Sequence, residues 1–106
     1  MQFVRLSEVK RREPVPGYGV RFVHSGAMTV AYWEIDAGAA MPTHSHSHEQ
    51  IMNLIEGEFE LEVAGTRRTM KPGMVAIVEP DEPHSGRATT KCRVIDVFHP
   101  VREDYR

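Results

Sequence analysis

The sequence predicts an all-β sandwich or barrel, and two observations lead to that fold class. Short segments of about five to eight residues alternate apolar and polar side chains or run apolar throughout, as strands do. Glycine and proline separate these segments, and no stretch has the period of an amphipathic helix. With 106 residues, the chain is long enough for one domain and too short for two, so we expect a single domain over residues 1–106.

Two strands are predicted in the first third of the chain. Val20–His24 and Met28–Ile35 are separated by Ser25 and Gly26, which favour a turn. Side chains of a strand alternate between its two faces, so the second strand presents Ala31 and Trp33 on one side and their neighbours on the other. One of these faces should line an interior.

Five further strands follow the same logic. The turns between them contain glycine or proline, as in 64–66 and 71–73. Proline cannot donate to a sheet ladder, so the fourth of the five ends at the proline-rich segment 79–83. The five predicted strands are Gln50–Ile55, Glu58–Val63, Arg67–Met70, Met74–Val78 and Cys92–Phe98.

The charge balance disfavours nucleic acid as a partner. With 13 basic and 15 acidic residues the formal charge is -2, which leaves no positive surplus to bind phosphates. No apolar run approaches the roughly 20 residues that span a bilayer, and the first residues lack the apolar core of a signal peptide. We therefore expect a soluble, cytoplasmic protein with no membrane partner.

A short tract rich in serine and histidine, residues 43–48, is the strongest candidate for a functional site. If the backbone is extended, His44, His46 and Gln50 all face the same way and can point inward. Imidazole nitrogen and amide oxygen both bind divalent first-row metals. His84, just past the proline-rich turn, is the candidate for a ligand from an adjacent strand. From the tract alone, a solvated loop that binds metal adventitiously remains open.

The spacing of these residues resembles the first motif of the cupin superfamily. Gly38 is followed after five residues by His44, and His46 is followed after three by Gln50 and after a further six by Gly57. The match holds at every position, except that glutamine stands where the motif usually has glutamate.

The second cupin motif is matched less completely. Gly73 and His84 have the expected spacing. Glu79 and Asp81 occupy the motif's proline and glycine positions, and Ala88 stands where asparagine is usual. These departures affect the turn of the motif and leave its ligand in place.

The resemblance implies a single-domain cupin: a double-stranded β-helix, or jelly-roll barrel, with motifs at about 38–57 and 73–88. It also implies a divalent metal ion, for which nickel, zinc, iron, manganese and cobalt are all open. The ligands implied are His44, His46, Gln50 and His84.

His48 is an alternative to Gln50 as a ligand. It shares the parity of His44 and His46, and a β-bulge could bring it to the metal. The family pattern favours Gln50. Ligation by Glu49 would require the strand to slip by one position, which would turn its apolar face outward.

A ligand set of imidazoles and one amide would leave the metal its full +2 charge, whereas glutamate would reduce it. Such a site favours an anionic small-molecule substrate and Lewis-acid chemistry over oxygen activation.

The C-terminal part resembles one group within the cupins, the KdgF group of pectin degradation proteins. The resemblance rests on His-Glu-Gln at 48–50 and on segment 94–105, which carries a similar Asp-x-Phe-x-Pro-x-Arg-x-Asp pattern. It implies ring opening of 4,5-unsaturated uronates to a keto form. Asp96 and Phe98 would border the substrate, with Asp96 as a general acid or base. Arg102 could pair with a substrate carboxylate, although a C-terminal arginine is often solvated.

Two other classes stay open. One is a different cupin enzyme, a dioxygenase or a dimethylsulfoniopropionate-type lyase, and the lyase would need a tyrosine base, for which Tyr32 is the candidate. The other is a non-catalytic module that binds a small molecule. Because small cupins commonly pair edge strands, we also expect a homodimer.

Overall fold

The computed structural model describes residues 1–106. Two single-turn 3₁₀ helices, Leu6–Glu8 and Glu103–Tyr105, lie near the ends of a chain that otherwise forms strands. None of its helices is long or apolar enough to cross a membrane. The ten strands are β1 (Arg12–Val15), β2 (Tyr18–His24), β3 (Thr29–Ile35), β4 (Ala40–His44), β5 (Glu49–Glu56), β6 (Phe59–Val63), β7 (Thr66–Met70), β8 (Val75–Val78), β9 (His84–Ala88) and β10 (Cys92–His99).

The strands form two antiparallel sheets. One has six strands in the order β1-β2-β3-β10-β5-β8, and the other has four in the order β4-β9-β6-β7. Both contribute to one core of 15 buried apolar residues, with Trp33 from the larger sheet and Phe59, Leu61 and Met70 from the smaller. The predicted jelly-roll fold is therefore confirmed.

Strict alternation of side chains builds the inner face of the six-stranded sheet. In β3, Ala31, Trp33 and Ile35 are buried while Glu34 is exposed. β10 lies in the middle of this sheet and turns Asp96 and its alternate neighbours inward. The residues of one face of β10 therefore reach the interior of the barrel.

Three strands that the sequence did not indicate are β1, β4 and β9. β4 and β9 pair with each other at one side of the four-stranded sheet. Most side chains of β4 are exposed, and β9 reads His-Ser-Gly-Arg-Ala. Neither strand shows the alternation of apolar and polar residues on which strand assignment depends.

The histidine tract is not one extended strand, contrary to the prediction. β4 ends at His44 in the smaller sheet and β5 begins at Glu49 in the larger one, so residues 45–48 turn the corner between the sheets. The inward convergence of this tract depends on that corner and not on strand parity.

The structure explains why position 57, the last glycine of the first motif, is a glycine. Its φ is +91°, in the region that favours glycine. A side-chain carbon at this position would collide with the carbonyl of Lys91 and with Cys92. The chain can turn from β5 into β6 here because the residue has no side chain.

The C-terminal residues fold back onto the barrel. The backbone N–H of Arg102 donates to Thr29 Oγ1 at 2.9 Å, and Arg12 Nη1 donates to the carbonyl of Tyr105 at 3.0 Å. The Tyr105 ring stacks on Phe22 with 4.3 Å between centroids. These contacts place Arg102 and Tyr105 in the wall of the interior pocket.

Candidate metal centre

Three histidines converge at the point where the two sheets meet. His44 ends β4, His84 begins β9 directly opposite it in the ladder, and His46 lies in the corner that follows β4. One ring nitrogen from each lies within 4.8 Å of the others. The His84 ring is 4.2 Å from that of His44 and 4.9 Å from that of His46, between centroids.

Backbone carbonyls orient all three rings in the same way. In each histidine, Nδ1 lies within hydrogen-bond distance of a nearby carbonyl, so Nδ1 carries the proton. A neutral imidazole has only one N–H, so the lone pair of each ring is then at Nε2. Metal-binding histidines usually have this kind of support. The acceptors are the carbonyls of Pro42 at 2.8 Å for His44, of His48 at 3.0 Å for His46 and of Glu82 at 2.8 Å for His84.

The surroundings keep the half-buried His46 ring and the buried His84 ring neutral. Burial lowers the pKa of His46 to about 4, and the positive charge of Arg102 and the neighbouring His84 ring add to that shift. Burial also lowers the pKa of His84. Both rings are therefore neutral at physiological pH, which is the form that binds a metal.

Two features of the group fit a divalent cation. His84 Nε2 is buried and has no hydrogen-bond partner, a costly arrangement that a cation would relieve. Gln50 is buried, and its Oε1 lies 3.1 Å from His46 Nε2. Since His46 Nε2 is unprotonated, both facing atoms are acceptors. Metal–ligand bonds of about 2.1 Å place neighbouring ligand atoms about 3.0–3.4 Å apart. The 3.1 Å between His46 Nε2 and Gln50 Oε1 therefore fits two ligands of one cation.

His48 lies outside the three-histidine group. Its ring centroid is 5.6 Å from that of His46, and its backbone carbonyl accepts the Nδ1–H of His46. The geometry therefore gives His48 a supporting role through its main chain, which does not depend on its side chain.

We accordingly expect His48→Ala to retain bound metal within about twofold of the wild-type content, because alanine keeps the carbonyl that orients His46. Metal analysis of the purified variant by plasma mass spectrometry would test this. A stoichiometric loss of metal would instead favour His48 as a ligand.

A pocket opens beside the histidines, between the inner faces of the two sheets. Its empty space is about 520 Å³, open solvent at the mouth included. The walls are mainly apolar and aromatic, as in most small-molecule sites. Apart from the histidines, its ionisable side chains are Asp96, Arg102 and two tyrosines.

Asp96 is the only carboxyl that lines this pocket. It is 6% exposed, and its Oδ1 has no hydrogen-bond partner. Burial raises the pKa of Asp96 to about 7, although the polar side chains of Gln50 and Trp33 and the charge of Arg102 oppose the shift. The carboxyl can therefore exist in either protonation state near neutral pH.

Arg102 is buried in the pocket wall and is not solvated. Its Nε and Nη2 donate to the two carboxylate oxygens of Asp104 at 3.0 and 2.8 Å. Its guanidinium carbon lies 4.8 Å from the ring centroid of Phe98 and 4.4 Å from that of Tyr105. Phe98 in turn contacts the His46 ring edge-on at 5.7 Å, so the guanidinium, this phenyl ring and the histidines form one continuous surface.

The pocket contains two tyrosines that the sequence analysis missed, Tyr18 and Tyr105. Tyr32 instead lies in a groove on the other side of the sheet, together with Arg21 and Ile95, so its proposed place near the metal was wrong. Extending the alternation of β2 back from Val20 by two residues would have identified Tyr18. Burial raises the pKa of Tyr18, so its hydroxyl stays protonated at neutral pH and no phenolate is available as a base.

The comparisons with known proteins agree with this geometry. The sequence profile described as Cupin domain matches residues 31–98. KdgF from Halomonas sp. superposes with a TM-score of 0.92 at 28% identity, covering 100% of this chain and 99% of that one. An RmlC-like cupin from Shewanella frigidimarina gives a TM-score of 0.93 at 25% identity, over 100% of this chain and 96% of its own.

A curated relative gives a further likeness. The H2HPP isomerase of Bacillus subtilis is 28% identical over 100 residues, which cover 92% of this chain and 42% of the relative. This chain thus spans less than half the length of that protein. Because the Cupin domain profile matches more than half of the chain and the fold agrees with it, this protein belongs to the cupin domain family.

Proposed function

We propose that this cupin is a metal-dependent isomerase that opens the ring of 4,5-unsaturated uronates to give the open-chain keto form. One observation carries the proposal: a single pocket combines the three-histidine group and Gln50 with one buried carboxyl and one buried guanidinium. The likeness to KdgF from Halomonas sp. and the isomerase name of the Bacillus subtilis relative support it.

The ligands proposed for the metal are Nε2 of His44, His46 and His84 and Oε1 of Gln50. All four are neutral, so a divalent cation would keep its full charge. When bound, such a cation supplies electrophilic stabilisation of the negative charge that develops on oxygen as a ring C–O bond breaks.

Asp96 is proposed to move the proton. Ring opening removes a proton from the anomeric hydroxyl and breaks the bond between C1 and the ring oxygen. The bonding electrons stay on the ring oxygen as an enolate, which takes up one proton at C4 to become the ketone. Asp96 is the only carboxyl in the pocket and lies next to Gln50, so it can accept the first proton and deliver the second.

Arg102 and Phe98 are proposed to bind the substrate. Asp104 engages Nε and Nη2 of Arg102, and Nη1 is the nitrogen proposed to donate to a substrate carboxylate. The Phe98 ring lies between this guanidinium and His46 and offers an apolar surface to the sugar ring. The substrate would thus have its carboxylate held while its reacting bond lies near Asp96.

The proposal can be tested with protein purified without a histidine tag. Its metal content would be measured, and the absorbance of 4,5-unsaturated galacturonate would be followed with and without enzyme. We expect metal-dependent loss of the absorbance that is absent in Gln50→Ala. Asn53→Ala is the matched control, because that amide lies on the same strand and donates to the carbonyl of Ile95 outside the pocket.

If the absorbance of the unsaturated galacturonate falls at the uncatalysed rate in the presence of metal-loaded protein, the isomerase proposal is contradicted. The assignment of the metal centre would not be affected. Other carboxylates and oxygen uptake would then be the next assays, since they report on the remaining cupin chemistries.

A further inference from the structure

Three polar atoms in the pocket wall make no hydrogen bond of normal geometry, although Tyr18 lies near the backbone of Met41 and Asp96 lies near Gln50 and Trp33. They are Tyr18 Oη, Trp33 Nε1 and Asp96 Oδ1. Their side chains line the pocket and are 3%, 6% and 6% exposed, respectively. Buried polar atoms are nearly always paired in folded proteins, so three orphans on one wall indicate that a partner comes from outside the chain.

The three side chains form one patch on the larger sheet. They belong to β2, β3 and β10, which are consecutive neighbours in that sheet, and all face inward. The rings of Tyr18 and Trp33 meet edge to face with 5.8 Å between centroids. Trp33 lies near enough to Asp96 to lower the pKa of the carboxyl, yet no hydrogen bond of normal geometry joins them.

The chemistry of the patch selects its partner. The Trp33 indole can only donate, the Tyr18 hydroxyl can donate or accept, and the Asp96 carboxyl has an oxygen that accepts in either protonation state. An ionised carboxylate or phosphate has no hydrogen to donate to the Asp96 oxygen, and an ammonium group has no lone pair to accept from the indole. A hydroxyl both donates and accepts, so it can satisfy the indole and the carboxylate together.

We propose that Tyr18, Trp33 and Asp96 form a hydroxyl-binding subsite that selects polyhydroxylated acids over acids without hydroxyl groups. The inference rests on the proposed function, because it defines the substrate class of the same pocket. Gln50 lies between Asp96 and His46, so a ligand hydroxyl in the subsite is adjacent to the histidine group. An acid without hydroxyls leaves the three polar atoms unpaired, and sites of this kind reject such analogues strongly.

The test is a comparison of two ligands that the proposed reaction does not consume. D-galacturonate carries ring hydroxyls, and tetrahydropyran-2-carboxylate is the same type of ring acid without them. Isothermal titration calorimetry on the protein as purified with its metal would give both dissociation constants. We expect the wild type to bind galacturonate more tightly than the acid without hydroxyls. The ratio of the two dissociation constants should fall about five- to tenfold in Tyr18→Phe and in Trp33→Phe, which is the effect of one lost hydrogen bond.

Tyr32→Phe is the matched control, because it removes the same hydroxyl from a neighbouring strand outside the pocket. It should keep the wild-type preference. Thermal melting separates recognition from folding: Tyr18→Phe should change the melting temperature little, because its hydroxyl lies near the backbone of Met41 but makes no hydrogen bond of normal geometry within the chain.

Equal affinity of the wild type for the two acids, binding of neither, or a preference that survives both substitutions would overturn the subsite; water would then be the partner of the three atoms. Ring opening measured separately tells the two proposals apart. A protein that opens the unsaturated uronate without any hydroxyl preference refutes the subsite alone, and one that shows the preference but no turnover refutes the isomerase alone.

Discussion

His84→Ala is expected to lower metal affinity by at least about a hundredfold and to abolish uronate ring opening. Losing a group that merely supports a ligand already costs about 10- to 100-fold in metal affinity, and we assign His84 Nε2 as a direct ligand. This nitrogen is buried beside the other two rings with no partner in the chain. Competition with a chromophoric chelator would give the affinity, and metal analysis would give the residual content.

His99→Ala is the matched control for that experiment. His99 is an exposed histidine at the end of β10 and takes no part in the three-histidine group, so its loss should change neither quantity. Wild-type affinity in His84→Ala would mean that the cation binds elsewhere, and the assignment of the centre would fall.

Asp96→Asn is expected to retain metal and lose about 10²- to 10⁴-fold in kcat. This range is what a positioned acid or base typically contributes. Asparagine has nearly the same shape, so the pocket and the proposed ligands stay in place while the proton carrier is removed. The measurement is kcat for the unsaturated uronate, together with metal content and melting temperature.

Two results would contradict the role given to Asp96. A variant with wild-type kcat would show that the proton travels by another route. A variant that loses its metal would show that Asp96 supports the centre through Gln50 and is not a proton carrier.

The fold was predictable where strands bury one face. β3 and β10 alternate strictly between buried and exposed side chains, and that alternation is visible in the sequence. β4 and β9 could not be recognised because each brings only one apolar side chain to the core, Met41 and Ala88. They are held mainly by the ladders that pair β4 with β9 and β9 with β6. Strand assignment from hydrophobic pattern cannot detect a strand whose stability comes mainly from its neighbours' hydrogen bonds.

The candidate site was predictable to a different degree. The motif spacing identified the residues that meet at the corner between the sheets, although the extended backbone assumed for them was wrong. The sequence did not indicate the proposed hydroxyl-binding subsite. Tyr18 and Trp33 are aromatic strand residues of a kind that usually forms plain core, and only the absence of partners for their polar atoms distinguishes them.

The proposed ligands are divided between the two sheets. His44 and His84 belong to the four-stranded sheet, Gln50 belongs to the six-stranded sheet, and His46 lies in the corner that joins them. A cation held by all four would act as a cross-link, and its binding free energy would add to the free energy of unfolding. Thermodynamic linkage makes that contribution about 4 kcal/mol when the free cation is about a thousandfold above its dissociation constant. Metal supply would then govern how long the barrel survives as well as how fast it turns over.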